Sequence, residues 1–148
     1  MSTPRLVIVA LALLSSACGA QAMGPPELVV DRTACSHCGM YVSEPVYAAA
    51  YQVGDNDPRV FDDIGCMLDA VERETASPIT IWLQDANGSG WLNADDAFVV
   101  HSARIRTPMS GGFLAYADAE AADQAAAAYG GRVTRSLHEL KAWNGGSK

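Results

Sequence analysis

The sequence predicts an α+β fold of two pseudo-repeated ββαβ units, an antiparallel sheet with helices packed on it. Two observations carry this expectation. Strand-like apolar runs and one stretch of helical spacing follow each other in the order strand, strand, helix, strand, and the same order returns over a similar length, about residues 28–86 and then 91–143. Gly-, Pro- and Asp-rich turns punctuate both halves.

In the first half, Val46 to Val53 is a strand candidate ended by Gly54-Asp55-Asn56-Asp57-Pro58, and Arg59-Val60-Phe61 returns beside it. Asp62 or Asp63 can cap a helix in which Ile64, Met67, Leu68 and Val71 fall on one apolar face. Met67 therefore belongs to packing. Ser77-Pro78 stops that helix, and Ile79 to Leu83 is the next strand. In the second half Ala97 to His101 and Gly111 to Tyr116 are strands, Asp118 caps an alanine-rich helix ended by Gly130-Gly131, and Arg132-Val133-Thr134 starts the last strand. An amphipathic segment follows near Leu137 to Leu140. His101 and His138 sit in strand and amphipathic contexts and read as structural.

The N-terminus carries an export pattern: Arg5, the apolar run Leu6 to Leu14, then small residues ending at Cys18. The run is too short to span a bilayer core of roughly 30 Å. Residues 1–17 are the expected signal peptide, and Ser15-Ser16-Ala17-Cys18 resembles a lipoprotein box, although Ser15 stands where the pattern has Leu. Cys18 is then the lipidation site, and acyl chains would hold the domain at a membrane with about 0.8 kcal/mol per buried methylene. Ala20-Gln21-Ala22 offers ordinary signal cleavage instead. Residues 18–27, with Gly24-Pro25-Pro26, form a tether, and 144–148 a disordered tail. The expected compartment is extracytoplasmic, the periplasm.

The chain carries a formal charge of −7. A nucleic-acid partner needs a basic face, so that class is disfavoured. About 125 mature residues suffice for one domain with its own core.

Chemistry is concentrated in Cys35-Ser36-His37-Cys38-Gly39-Met40. Thiolate and thioether sulfur are soft donors that select Cu(I) over magnesium, calcium or manganese. Cys35, Cys38 and Cys66 leave an odd number of thiols in an oxidising compartment, which calls for a metal or a reaction to use them. Met109 lies in Thr107-Pro108-Met109-Ser110-Gly111-Gly112, a loop without core periodicity, so its thioether invites a functional reading. Cys66 falls in the first turn of the predicted helix, where the dipole favours thiolate. It is a third ligand, a resolving thiol or a buried small residue. Two rival chemistries stay open: a thiol-disulfide oxidoreductase using Cys35 and Cys38, for which Gly39 and Met40 make a poor helix start, and a structural zinc site of Cys35, Cys38, Cys66 and His37, in which His37 is awkwardly placed between the paired cysteines.

These segments, together with Phe61-Asp62-Asp63-Ile64-Gly65-Cys66, Asp96-Ala97-Phe98-Val99-Val100, Thr107 to Phe113 and the helix ending in Gly130-Gly131, resemble in order the nitrous oxide reductase accessory protein NosL family over about residues 30–143. The resemblance implies a copper chaperone rather than an enzyme: an exported, lipid-anchored Cu(I) carrier supplying nitrous oxide reductase and its maturation machinery. It implies Cys38, Met40 and Met109 as metal ligands, with Cys35 and Cys66 carried over less directly because family members differ there.

Overall fold

The computed structural model describes residues 24–77 and 79–145. The expected signal peptide, Cys18 and the first part of the tether lie outside the described residues. Among these residues no helix is long and apolar enough to cross a membrane.

Short β-rich segments separated by tight turns pair antiparallel, and here they divide between two sheets. In the first, β1 (Ala49–Val53), β2 (Arg59–Phe61), β3 (Ile79–Gln84) and β4 (Trp91–Asn93) lie in the order β2-β1-β3-β4, with Ala49 opposite Phe61 and Tyr51 opposite Ile81. In the second, β5 (Phe98–His101), β6 (Phe113–Tyr116) and β7 (Arg132–Thr134) lie in the order β6-β5-β7. A parallel bridge between Asp85 and Ala115 joins the sheets, and the Ala86 N–H donates to the Ala115 carbonyl at 2.8 Å.

Side chains alternate along a strand, so each sheet has two faces to cover. Tyr51, Phe61, Ile81 and Leu83 pack with Ile64, Met67, Leu68 and Val71 of helix α1 (Ile64–Arg73). Val99, Phe113 and Ala115 from the second sheet enter this same core, as does Leu140 of helix α3 (Leu137–Gly145). The alternate residues Val100, Leu114 and Tyr116 turn to the opposite side and meet Ala122 and Ala125 of helix α2 (Ala119–Tyr129). One core is therefore shared by both sheets. Met67 is fully buried in it, in agreement with its expected packing role.

Several boundaries differ from the sequence expectation for identifiable reasons. Pro45 opens a single 3-10 turn, Pro45–Tyr47, which delays β1 to Ala49. Helix α1 ends at Arg73, where the Glu74 Oε1 accepts the N–H groups of Thr75 and Ala76 before the chain reaches Ser77. Helix α3 extends well past Leu140. Its Asn144, placed by the sequence reading at the start of the tail, is buried and donates to the Gly65 carbonyl (3.4 Å) and to Asp69 Oδ1 (2.6 Å), docking α3 on α1. The tether's last residues are also fixed: the Trp91 indole donates to the Pro26 carbonyl at 2.9 Å.

Candidate metal centre

The Cys35–Met40 segment folds back on itself as a knuckle. The Cys35 N–H donates to the Met40 carbonyl (2.7 Å) and the Gly39 N–H to the Cys35 carbonyl (2.9 Å), with Gly39 in the left-handed region at φ +77°. A side chain would be strained there. Ala34 and Tyr41 bridge at the base, and the Ser36 N–H donates to the Val60 carbonyl at 2.7 Å, fastening the knuckle to β2. This geometry sends Cys35 inward, 2 % exposed, and leaves Cys38 on the surface.

Where β2 hands over to α1, the chain places two buried carboxylates in succession. Asp63 is the N-cap: its Oδ1 accepts the Gly65 N–H at 2.6 Å. Its other oxygen reaches across to the second half of the chain and accepts the Thr107 hydroxyl, the Met109 N–H (3.1 Å) and the Gly111 N–H (3.3 Å). The loop bearing Met109 is thereby clamped to the start of α1. Gly111 is required at this contact, because a Cβ there would fall 2.2 Å from the Asp63 Oδ1.

Asp62 has a different set of neighbours. Its carboxylate, the Cys35 sulfur and the Cys66 sulfur from the first turn of α1 lie within 4.8 Å of one another, and all three residues are buried. Asp62 Oδ1 has no hydrogen-bond partner. Three acids compressed into one place cannot all ionise, and the charge settles on Cys35. The Cys66 thiol donates to it, Asp62 and the Cys38 backbone N–H add to this, and together they outweigh burial and pull Cys35 down to about 3. Burial, reinforced by that thiolate, pushes Asp62 up to about 7. The hydrogen bond to Cys35, followed by burial, holds the Cys66 thiol well above the ordinary thiol range. The thiolate-favouring helix terminus expected for Cys66 is thus overruled by its neighbours.

Cys38 is raised by burial and touches Cys35, while the Met40 N–H donates to its sulfur. All three thiols are free, with no disulfide among them. The thioether residues Met40 and Met109 are 49 % and 41 % exposed, far from the packed state of Met67. His37 is exposed on the knuckle and lies outside the buried group. His101 is half-buried, tilted against Phe113 and stacked on Trp143 with centroids at 4.5 and 5.8 Å, a structural placement. The structure therefore brings Cys35 and Cys66 together, sets Cys38 against Cys35, and leaves Met40 and Met109 facing solvent.

Sequence reasoning missed Asp62 as a site residue. The available signal was the Asp62-Asp63 pair before a helix that needs one cap, which leaves one carboxylate over.

A donor set of two thiols and a carboxylate suits a thiophilic or borderline metal ion. The exposed thiol and thioethers offer softer, more accessible coordination. Among known protein families, the model described as NosL matches residues 26–142. No curated protein matches the sequence.

Proposed function

The chain belongs to the NosL family, and from that premise we propose that it is an extracytoplasmic Cu(I) chaperone, not an enzyme, which delivers copper for the maturation of nitrous oxide reductase. Its export pattern and Cys18 support a lipid-anchored protein on the periplasmic side of a membrane. The observation that carries the reading is the meeting of three free thiols at one boundary between core and surface, with two exposed thioethers available nearby in sequence or held on a clamped loop.

In this reading Cys38, Met40 and Met109 receive and release the ion. Thioethers are neutral, so Cu(I) held by one thiolate and methionines can be attacked by an incoming donor before the old bonds break. Engaging Cys35 and Cys66 as well would retain copper more firmly and slow its transfer. The fold favours the accessible set by burying those two sulfurs.

Anaerobic Cu(I) titration against a chromophoric chelator tests the proposal. One Cu(I) per chain, lost in Cys38→Ser and weakened about tenfold in Met109→Leu, is the expected result, a tenfold loss being about 1.4 kcal/mol. Failure of Cu(I) to compete with the chelator would overturn it. Turnover in an insulin-reduction assay would favour the dithiol oxidoreductase, for which the free Cys38 thiol beside Cys35 is the supporting observation.

A further inference from the structure

We propose, on the reading of Cys38 as the exchange thiol, that the exposed limb from Val29 to Tyr41 is the face on which the copper acceptor docks, and that the acceptor meets it with an apolar, uncharged protein surface around its own soft donors. Six large hydrophobic side chains stand exposed among the described residues, and four of them, Val29, Val30, Met40 and Tyr41, belong to this limb. Tyr41 is the most open, at 61 %. Backbone pairing gathers them: Ala34 bridges Tyr41, the Asp31 N–H donates to the Val42 carbonyl (2.9 Å), and the Val42 N–H donates back to the Thr33 carbonyl (2.9 Å). The turn from Val29 to Thr33 is closed by the Thr33 N–H on the Val29 carbonyl (2.8 Å) and the Val29 N–H on the Thr33 hydroxyl (2.9 Å). One contiguous patch results, and such a patch marks an interaction site where scattered single residues do not.

Folding does not account for this exposure. The limb is anchored by Val42, fully buried in a cluster with Ala48, Ala50, Val60 and Trp82, so its outward side chains add little to the core. Charge and position select the occupant. With His37 neutral, residues 28–42 hold one acid, Asp31, and one base, Arg32, so the limb is neutral in a chain of formal charge −7. A partner face of either sign finds no complement there. Cys38 is exposed on the same limb, two residues before Met40. Ligand exchange brings the acceptor's donor within bonding distance of that sulfur, so the acceptor has to cover the side chains beside it. A bilayer would bury the thiol in lipid, and a second copy of the chain would close two thiols against each other; either stops exchange. The patch is also small, which suits a transient partner, since such encounters bury less than about 1,200 Å² in total. Tyr41 is of the residue type that most often anchors a contact of this kind.

The test places the photocrosslinker p-benzoylphenylalanine at Tyr41 of the full-length chain, and in a second variant at Tyr129, the exposed aromatic residue that ends α2, in cells that produce nitrous oxide reductase. Expected is one adduct with a different protein from position 41, absent from position 129. Its partner should bind Cu(I) once purified, and its yield should fall at least fivefold when Val30→Glu is added. Val30→Glu alone and Tyr41→Glu should leave far-UV circular dichroism and Cu(I) affinity in the chelator titration unchanged, while copper per reductase molecule falls at least fivefold. An adduct with lipid or with a second copy of the chain, an equal adduct from Tyr129, no adduct, or undiminished loading in either Glu variant would overturn the docking face. A fall in Cu(I) affinity in Val30→Glu would overturn it too, by placing the patch in the metal site itself. Failure of the chaperone reading shows as absent Cu(I) binding by the parent chain, whereas failure of the docking face shows with that binding intact, so the two are told apart.

Discussion

Asp62 and Asp63 leave the same stretch of backbone for different halves of the fold. One joins Cys35 and Cys66; the other grips the loop from Thr107 to Gly111. Asp63 is fully buried and accepts four hydrogen bonds, so its isosteric amide would put donors where donors already point. Asp63→Asn should therefore cost about 2–3 kcal/mol in urea unfolding, from buried groups left without partners. It should also speed hydrogen exchange at the Met109 and Gly111 amides. Unchanged exchange there would show that the loop is held by something else. Either aspartate can cap a helix, and local spacing does not tell them apart. The difference is made by a loop more than forty residues downstream, which is why the sequence named the cap pair but not the leftover carboxylate.

The elements most legible in the sequence are those fixed by local chemistry. Helix α2 begins at the Asp118 cap, whose side chain accepts the Ala121 N–H, and ends at Gly130 in the left-handed region with φ 60°, as the Asp and Gly-Gly signals require. Strand β4 and the second half of α3 were not legible. Trp91–Asn93 becomes a strand by pairing with β3, and α3 continues to Gly145 because Asn144 finds partners on α1. Neither cause is local. The junction of α1 with the Met109 loop belongs to the same class: there Gly65 and Gly111 face each other, and a Cβ at Gly111 would fall 2.2 Å from the Asp63 Oδ1. Gly111→Ala should push the loop off the Asp63 cap and weaken Cu(I) binding in the chelator titration more than Met109→Leu does, since it displaces the backbone as well as the thioether. Equal or smaller loss would mean that the loop's position is not what Met109 contributes.

At the scale of the molecule, the α+β class was legible, while the division of strands between two sheets over one shared core was not: apolar alternation marks faces without saying which sheet they cover. That shared core also sets an acid response. His101 of β5 lies tilted against Phe113 and stacks on the Trp143 ring of α3, and Arg132 lies 4.3 Å from the same indole. Burial, then the Arg132 charge, lowers its pKa, so the folded imidazole stays neutral where the unfolded one takes up a proton. The stabilisation is complete above the unfolded value of about 6.5 and is lost as pH falls through the lower folded value. Asp62, whose pKa is raised by burial, has the opposite slope between about pH 4 and its folded value of about 7, so the comparison is between variants. From pH 7.5 to pH 5 the urea midpoint should fall less in His101→Phe than in the parent protein, and an equal fall would remove His101 as the cause.

The Asp63 clamp has a consequence for biogenesis. The nascent chain presents its cysteines long before the loop that the clamp secures has been synthesised, so Met109 takes its clamped position only after that loop has closed against α1. Under the proposed function, loading with copper is then a late event, reserved for a finished chain, and an unfinished one offers scattered sulfur in place of a seat.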